Sequence, residues 1–176
     1  MDASRRPNSF AGGRYDECMA TITESLHVPC PYVRAKSYLH ETLSEAAKNA
    51  PQPLQLTATL PVADVQLEKT VLVHYAKGTD PMHFDEPWNV TWEPRPGGVY
   101  PSFSGTLTVR ADEDYTGSIL ELAGAYAPPL GVAGALFDKA LGQKIASVTM
   151  GELLAKIAER MMERYEREEA AKASAP

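Results

Sequence analysis

Between Cys18 and Val28 the chain alternates, with Cys18, Ala20, Ile22, Glu24, Leu26 and Val28 on one side and Thr21, Thr23, Ser25 and His27 on the other. A period of two marks a half-buried strand. Pro29-Cys30-Pro31 ends it, and Pro31 suits the first turn of a helix. Val33, Leu39, Thr42, Leu43 and Ala46 then recur at helical spacing, which predicts an amphipathic helix to about Lys48. Asn49 to Pro53 breaks that pattern.

The middle of the chain returns to period two. Leu54-Leu56-Ala58-Leu60, Val65-Leu67-Lys69-Val71-Val73-Tyr75, Trp88-Val90-Trp92, Phe103-Gly105-Leu107-Val109 and a last run from Tyr115 to Tyr126 each predict a strand. Pro61 to Asp64, Lys77 to Pro81, Pro94 to Gly98 and Ala111 to Asp114 supply turns between them. Connections this short join neighbours as antiparallel hairpins and leave no room for the helical crossover of a parallel sheet. After Pro128-Pro129 the period lengthens again. Ala133, Leu136, Phe137, Ala140 and Leu141 form one apolar stripe, and Ile145, Val148, Leu153, Ile157, Met161 and Tyr165 another. A continuous helix from Gln143 to Arg167 would be roughly 38 Å long, enough to cross a whole sheet. Gly142 and Gly151 are poor helix formers, so a kink is expected near one of them.

Strand, helix, about five antiparallel strands and one long helix make an α+β domain. The apolar sheet face must be covered, and the terminal helix is the available cover. Residues 1–14 are expected to form a flexible leader, 15–168 a single domain and 169–176 a flexible tail. A chain of 176 residues fits that division, and 44% hydrophobic with 23% charged residues excludes a wholly disordered chain. Its longest apolar runs are too short to span a bilayer, so no membrane insertion is expected. The net charge of −6 argues against a nucleic-acid partner. No signal-peptide core precedes the first strand, and cytoplasmic localisation is expected. Cys18 and Cys30 flank that strand roughly 40 Å apart if extended. A disulfide needs Cα atoms within about 7 Å, so two reduced thiols are expected.

Leu120-Glu121-Leu122-Ala123-Gly124-Ala125-Tyr126, the Pro128-Pro129-Leu130-Gly131-Val132-Ala133-Gly134 that follows, and Phe137-Asp138-Lys139-Ala140-Leu141 give the chain a family look. So do Trp88 to Glu93 and Tyr100-Pro101-Ser102-Phe103-Ser104-Gly105-Thr106-Leu107. On these residues the sequence resembles small bacterial members of the START, Bet v 1 and polyketide cyclase superfamily (SRPBCC). The resemblance implies a helix-grip fold, a curved antiparallel sheet of about six to seven strands wrapped around the C-terminal helix. It implies an activity only loosely, since members range from lipid carriers to cyclases.

A cavity between sheet and helix is the natural ligand site of such a fold. Trp88, Trp92, Tyr100, Phe103 and Tyr126 are the candidate lining, with Leu153 and Ile157 facing them from the helix; packed core is the plainer reading. Glu24 and Lys69 each interrupt an apolar strand face, where an unpaired charge costs several kcal/mol. They are candidate polar anchors, or else sit at strand ends and reach solvent. His27, His40, His74 and His83 show no metal-ligand spacing, and the expectation is no metal and no cofactor. The leading expectation is binding of a small hydrophobic molecule, a lipid or an aromatic polyketide-like compound. The alternative is a cyclase- or dehydratase-like enzyme in which Glu24 works with Lys69 or Tyr126. A third is a cavity-less interaction module, able to form a homodimer, which a filled core and a large apolar surface patch would favour.

Overall fold

The computed structural model describes residues 20–49, 51–60, 65–80, 86–94, 100–127 and 139–174, with the backbone alone for 52, 54–60, 65–69, 94 and 139–141. The leader, Cys18, His83, and the first helical stripe up to Phe137 lie outside the described residues. The elements are β1 (Ala20–Val28), α1 (Tyr32–Lys48), β2 (Gln52–Leu60), β3 (Val65–Lys77), β4 (Trp88–Pro94), β5 (Ser102–Ala111), β6 (Ser118–Ala127) and α2 (Lys139–Ala173). All six strands form one antiparallel sheet in the order β1-β6-β5-β4-β3-β2.

β2 to β6 pair with their sequence neighbours, as short polar connections require. β1 instead joins β6 from the other end of the chain, with Ala20 opposite Tyr126 and Val28 opposite Ser118. α2 packs against both edge strands, β1 and β2, and against β6, so it crosses the sheet from one edge to the other. The sheet twists and curves over it, as antiparallel sheets of this width do. This is a helix-grip arrangement.

α1 begins after Pro31, whose carbonyl accepts from the amides of Arg34 and Ala35 at 2.9 Å each. It ends where Asn49 returns its amide to Ala46 and its side-chain nitrogen to Glu45, both at 3.2 Å. Its buried face is Ala35, Tyr38, Leu39, Leu43 and Ala46. Val33, expected on the apolar stripe, is 78% exposed. At about 100° per residue it stands on the flank away from Leu39 and Leu43.

α2 differs from expectation in length and continuity. Its helical backbone runs unbroken through Gly142 and Gly151. It ends at Ala173, inside the segment expected to be a flexible tail, with Lys172 paired to Glu169 and the Ser174 hydroxyl donating to the Ala170 carbonyl at 2.8 Å. Pairs one turn apart support a helix end that has no core to lean on. The last strand is shorter than expected. Tyr115 lies outside it at φ 57°, 80% exposed, in the turn closed by its amide donating to the Asp112 carbonyl at 3.4 Å. Four consecutive polar or turn-forming residues (Asp112 to Tyr115) bend the chain before the ladder can begin at Ser118.

Candidate functional site

The registers set the inner face of the sheet as rows crossing β4, β5, β6 and β1. Trp92, Phe103, Tyr126 and Ala20 form one row; Val90, Gly105, Gly124 and Ile22 the next; Trp88, Leu107, Leu122 and Glu24 a third. Period-two alternation puts all of these on the same side. Two glycines opposite one another leave a flat gap in the second row, and the Phe103 ring lies across it. Its Cζ stands 2.5 Å from where a Cβ on Gly105 would be and 2.7 Å from that of Gly124. Trp92 stacks on the other side of Phe103, with ring centroids 4.2 Å apart and planes 13° from parallel.

The polar tips of these aromatics are occupied. Trp92 Nε1 donates to the Pro101 carbonyl at 3.1 Å. Tyr100 and Thr149 hydroxyls bond each other. Thr149 also donates to the Ile145 carbonyl at 2.7 Å, and a hydroxyl has one proton, so Tyr100 is the donor to Thr149. Burial pushes the Tyr100 and Tyr126 phenols up from their ordinary range. Both stay protonated at neutral pH and neither serves as a base.

Trp88, Trp92, Tyr100, Phe103, Tyr126, Leu153 and Ile157 all end up in the core, each between 0% and 4% exposed. A void able to admit water would leave accessible surface on its walls, so these side chains offer almost none to a guest as they stand. They pack with Leu107, Leu120, Leu122, Met150 and Met161, also at 3% or less, in one continuous cluster. The large apolar side chains exposed among the described residues are Val33, on α1, and Tyr115, in the turn between β5 and β6.

Glu24 is placed differently. It ends an otherwise apolar row on edge strand β1, half-buried between Ile22 and Leu26, opposite Leu122. Ser147 of α2 donates its hydroxyl to Glu24 Oε1. The two face a groove of about 470 Å³ lined by Thr21, Ile22, Thr23, Glu24, Gln143, Lys144 and Ser147. Lys69 lies on β3, opposite Leu56, with three strands of the sheet order between it and β1. The fold therefore does not set Glu24 and Lys69 on neighbouring strands.

Ser147 and Thr149 were not singled out by the sequence, since single hydroxyl residues in an amphipathic helix read as ordinary positions beside its apolar stripe.

Two other depressions are less suited to an apolar guest. One of about 350 Å³ between α1 and α2 is walled by Arg160, Arg164, Arg167, Glu45 and Glu163. There Arg164 pairs with Glu41 and Glu168, Arg34 reaches Glu168 at 2.9 Å, and Tyr38 donates to Glu168 at 2.6 Å. The Tyr38 bond, against some cost of burial and with Arg34 and Arg164 adding, holds the Glu168 carboxyl below its usual range. The other, about 10 Å³ beside His40, Glu86 and Trp88, has room for roughly one water. Among the described residues no group of three or more His, Cys, Asp or Glu is placed to hold a metal. No described helix is long and apolar enough to cross a membrane.

No family model and no curated protein matches the chain. Solved structures do. TTHA0849 from Thermus thermophilus is 15% identical, with 82% of this chain and 99% of that one covered and a TM-score of 0.47. Ara h 8.0201 is 13% identical over 81% of this chain and 94% of its own, at a TM-score of 0.41. The Arabidopsis thaliana protein At1g70830, a member of the major latex protein family, is 10% identical over 82% and 94%, also at 0.41.

Proposed function

We propose that this chain binds a small hydrophobic molecule between its sheet and α2, taken up through the groove along β1. The observation that carries the reading is the groove itself. It is an open, mostly polar space of about 470 Å³ that meets the apolar sheet face at Ile22, beside the first half of α2. The closed packing beneath α2 sets a condition on uptake. A guest that goes deeper than the groove displaces the first half of α2, where Ile145, Ala146 and Met150 are buried, while the second half stays tied to α1 through Tyr38, Glu168 and Arg164. The acid–base enzyme reading gains no support from the arrangement, because Glu24 and Lys69 lie on well-separated strands and Tyr126 is a buried, protonated phenol.

The test is uptake by purified protein. Native mass spectrometry and organic extraction should find a co-purified small molecule, or the protein should take up members of a panel of fatty alcohols, fatty acids and aromatic probes with a protein-saturable signal. No carried molecule and no uptake from the panel would overturn the proposal.

A further inference from the structure

Glu24 stands where the groove meets the apolar sheet, and its carboxylate is only partly engaged. Ser147 supplies one hydrogen bond to Oε1, whereas an ionised carboxylate accepts about four. Among the described residues no Lys or Arg pairs with it. Its neighbours along and across the sheet are Ile22, Leu26 and Leu122. The groove does hold a cation, Lys144, but that side chain is exposed, as is Gln143. A hydrated ammonium acts through water and is screened within about 8–10 Å by salt. A half-buried carboxylate against apolar walls acts through a lower dielectric and is felt more strongly at short range. A head group lying against the sheet at Ile22 is beside Glu24, whereas Lys144 is an exposed side chain of α2.

Resting on the reading that a hydrophobic guest enters by this groove, we infer that Glu24 selects the guest's polar end. It favours molecules whose head donates hydrogen bonds or carries positive charge, hydroxyl- or amine-bearing amphiphiles, and rejects those with a carboxylate head. A donor head bonds the Glu24 carboxylate directly, in place of water, while the apolar body lies on Ile22 and the sheet. A carboxylate head placed at Glu24 meets like charge there, and the other donors of the groove, Thr21, Thr23, Gln143 and Lys144, are exposed side chains that act on it through water.

The experiment compares three probes of one chain length, decylamine, decanol and decanoate below their micellar concentrations, by calorimetry or displacement of a fluorescent apolar dye. Wild-type protein should bind the amine and the alcohol at least about tenfold tighter than the carboxylate, the size expected of one charge-assisted hydrogen bond. Glu24→Gln keeps the shape and removes the charge, and should bring the three within about threefold. Glu113→Gln, in the exposed β5–β6 turn, changes net charge equally and should leave the preference unchanged, which separates the groove's selectivity from the overall charge of −6. Binding of all three probes with no head-group preference, or a preference that survives Glu24→Gln, overturns this inference and leaves the proposed function standing. Binding of none of them overturns this inference, whereas the proposed function falls only if extraction and the wider panel also find no guest.

Discussion

One chemical change, glycine to alanine, should have opposite effects at two positions. Gly151 lies on the exposed side of α2, and a Cβ there would meet nothing within 4 Å. Glycine in a helix interior is about 0.8–1.0 kcal/mol less favourable than alanine, because it leaves more backbone freedom in the unfolded chain. Gly151→Ala should therefore stabilise the protein by about 1 kcal/mol, a rise in Tm of roughly 2–4 °C for a chain this long. At Gly124 the same Cβ would fall 2.5 Å from the Cα of Gly105 and 2.7 Å from Cζ of Phe103, and also against the carbonyl oxygen of Ser104. Two of these three obstacles are backbone of the paired strand, so the strands must part or the ring must leave its seat. Overpacking of this kind costs about 1–3 kcal/mol. The assay is denaturant unfolding of both variants beside wild type, with tryptophan fluorescence as a second probe because Trp92 stacks on the displaced ring. Adding Phe103→Leu to Gly124→Ala should recover only part of the loss, since shrinking the ring leaves Ser104 and Gly105 in the way. A neutral Gly124→Ala would refute the claim that a glycine pair in the sheet makes room for Phe103, and full recovery in the double variant would refute the part assigned to the backbone of Ser104 and Gly105.

Phe103→Ala should cost about 3–5 kcal/mol by equilibrium unfolding, since it empties a buried site between Trp92 and two glycines. Tyr38→Phe should lower stability at pH 7 by removing the bond to Glu168. Glu168 is held below its ordinary value of 4.5, so its contribution is present above that pH and fades as pH falls through the folded value; the gap between Tyr38→Phe and wild type should close in acid. At the alkaline end, burial pushes Tyr75 from 10.0 to about 12, so its stabilising contribution is complete below pH 10 and is lost as pH rises toward 12. Tyr75→Phe should flatten that part of a stability–pH curve and remove, from the phenolate absorbance of wild type, a step near 12.

The hairpins from β2 to β6 and both helices were legible in the sequence because each rests on a local period or a local breaker. Tyr115 was misassigned for a related reason. Its side chain suits a strand, but the Asp-Glu-Asp before it bends the backbone, and turn chemistry overrode side-chain preference. Gly142 and Gly151 are poor helix formers, yet the helical assignment continues through both, with Met150, Leu153 and Leu154 buried beside Gly151. In the candidate site, Glu24 stood out as a charge on an apolar face. Its partner Ser147 did not, since 123 residues separate them and a serine in a helix announces nothing by itself.

By itself the sequence determined which residues form strands and helices and which side of each is apolar, because alternation at period 2 or 3.6 is written into neighbouring residues. Tertiary structure decided the rest. It put β1 beside β6 instead of beside β2, although the run of hairpins leaves both of those edges open. That choice alone placed Glu24 at the end of a row of Trp88, Leu107 and Leu122 and under Ser147. The aromatics on neighbouring strands were equally legible as cavity lining or as core. Only the fit of Phe103 over Gly105 and Gly124, with Trp92 on its other face, made them core, because close packing depends on shapes meeting in space and not on their order along the chain.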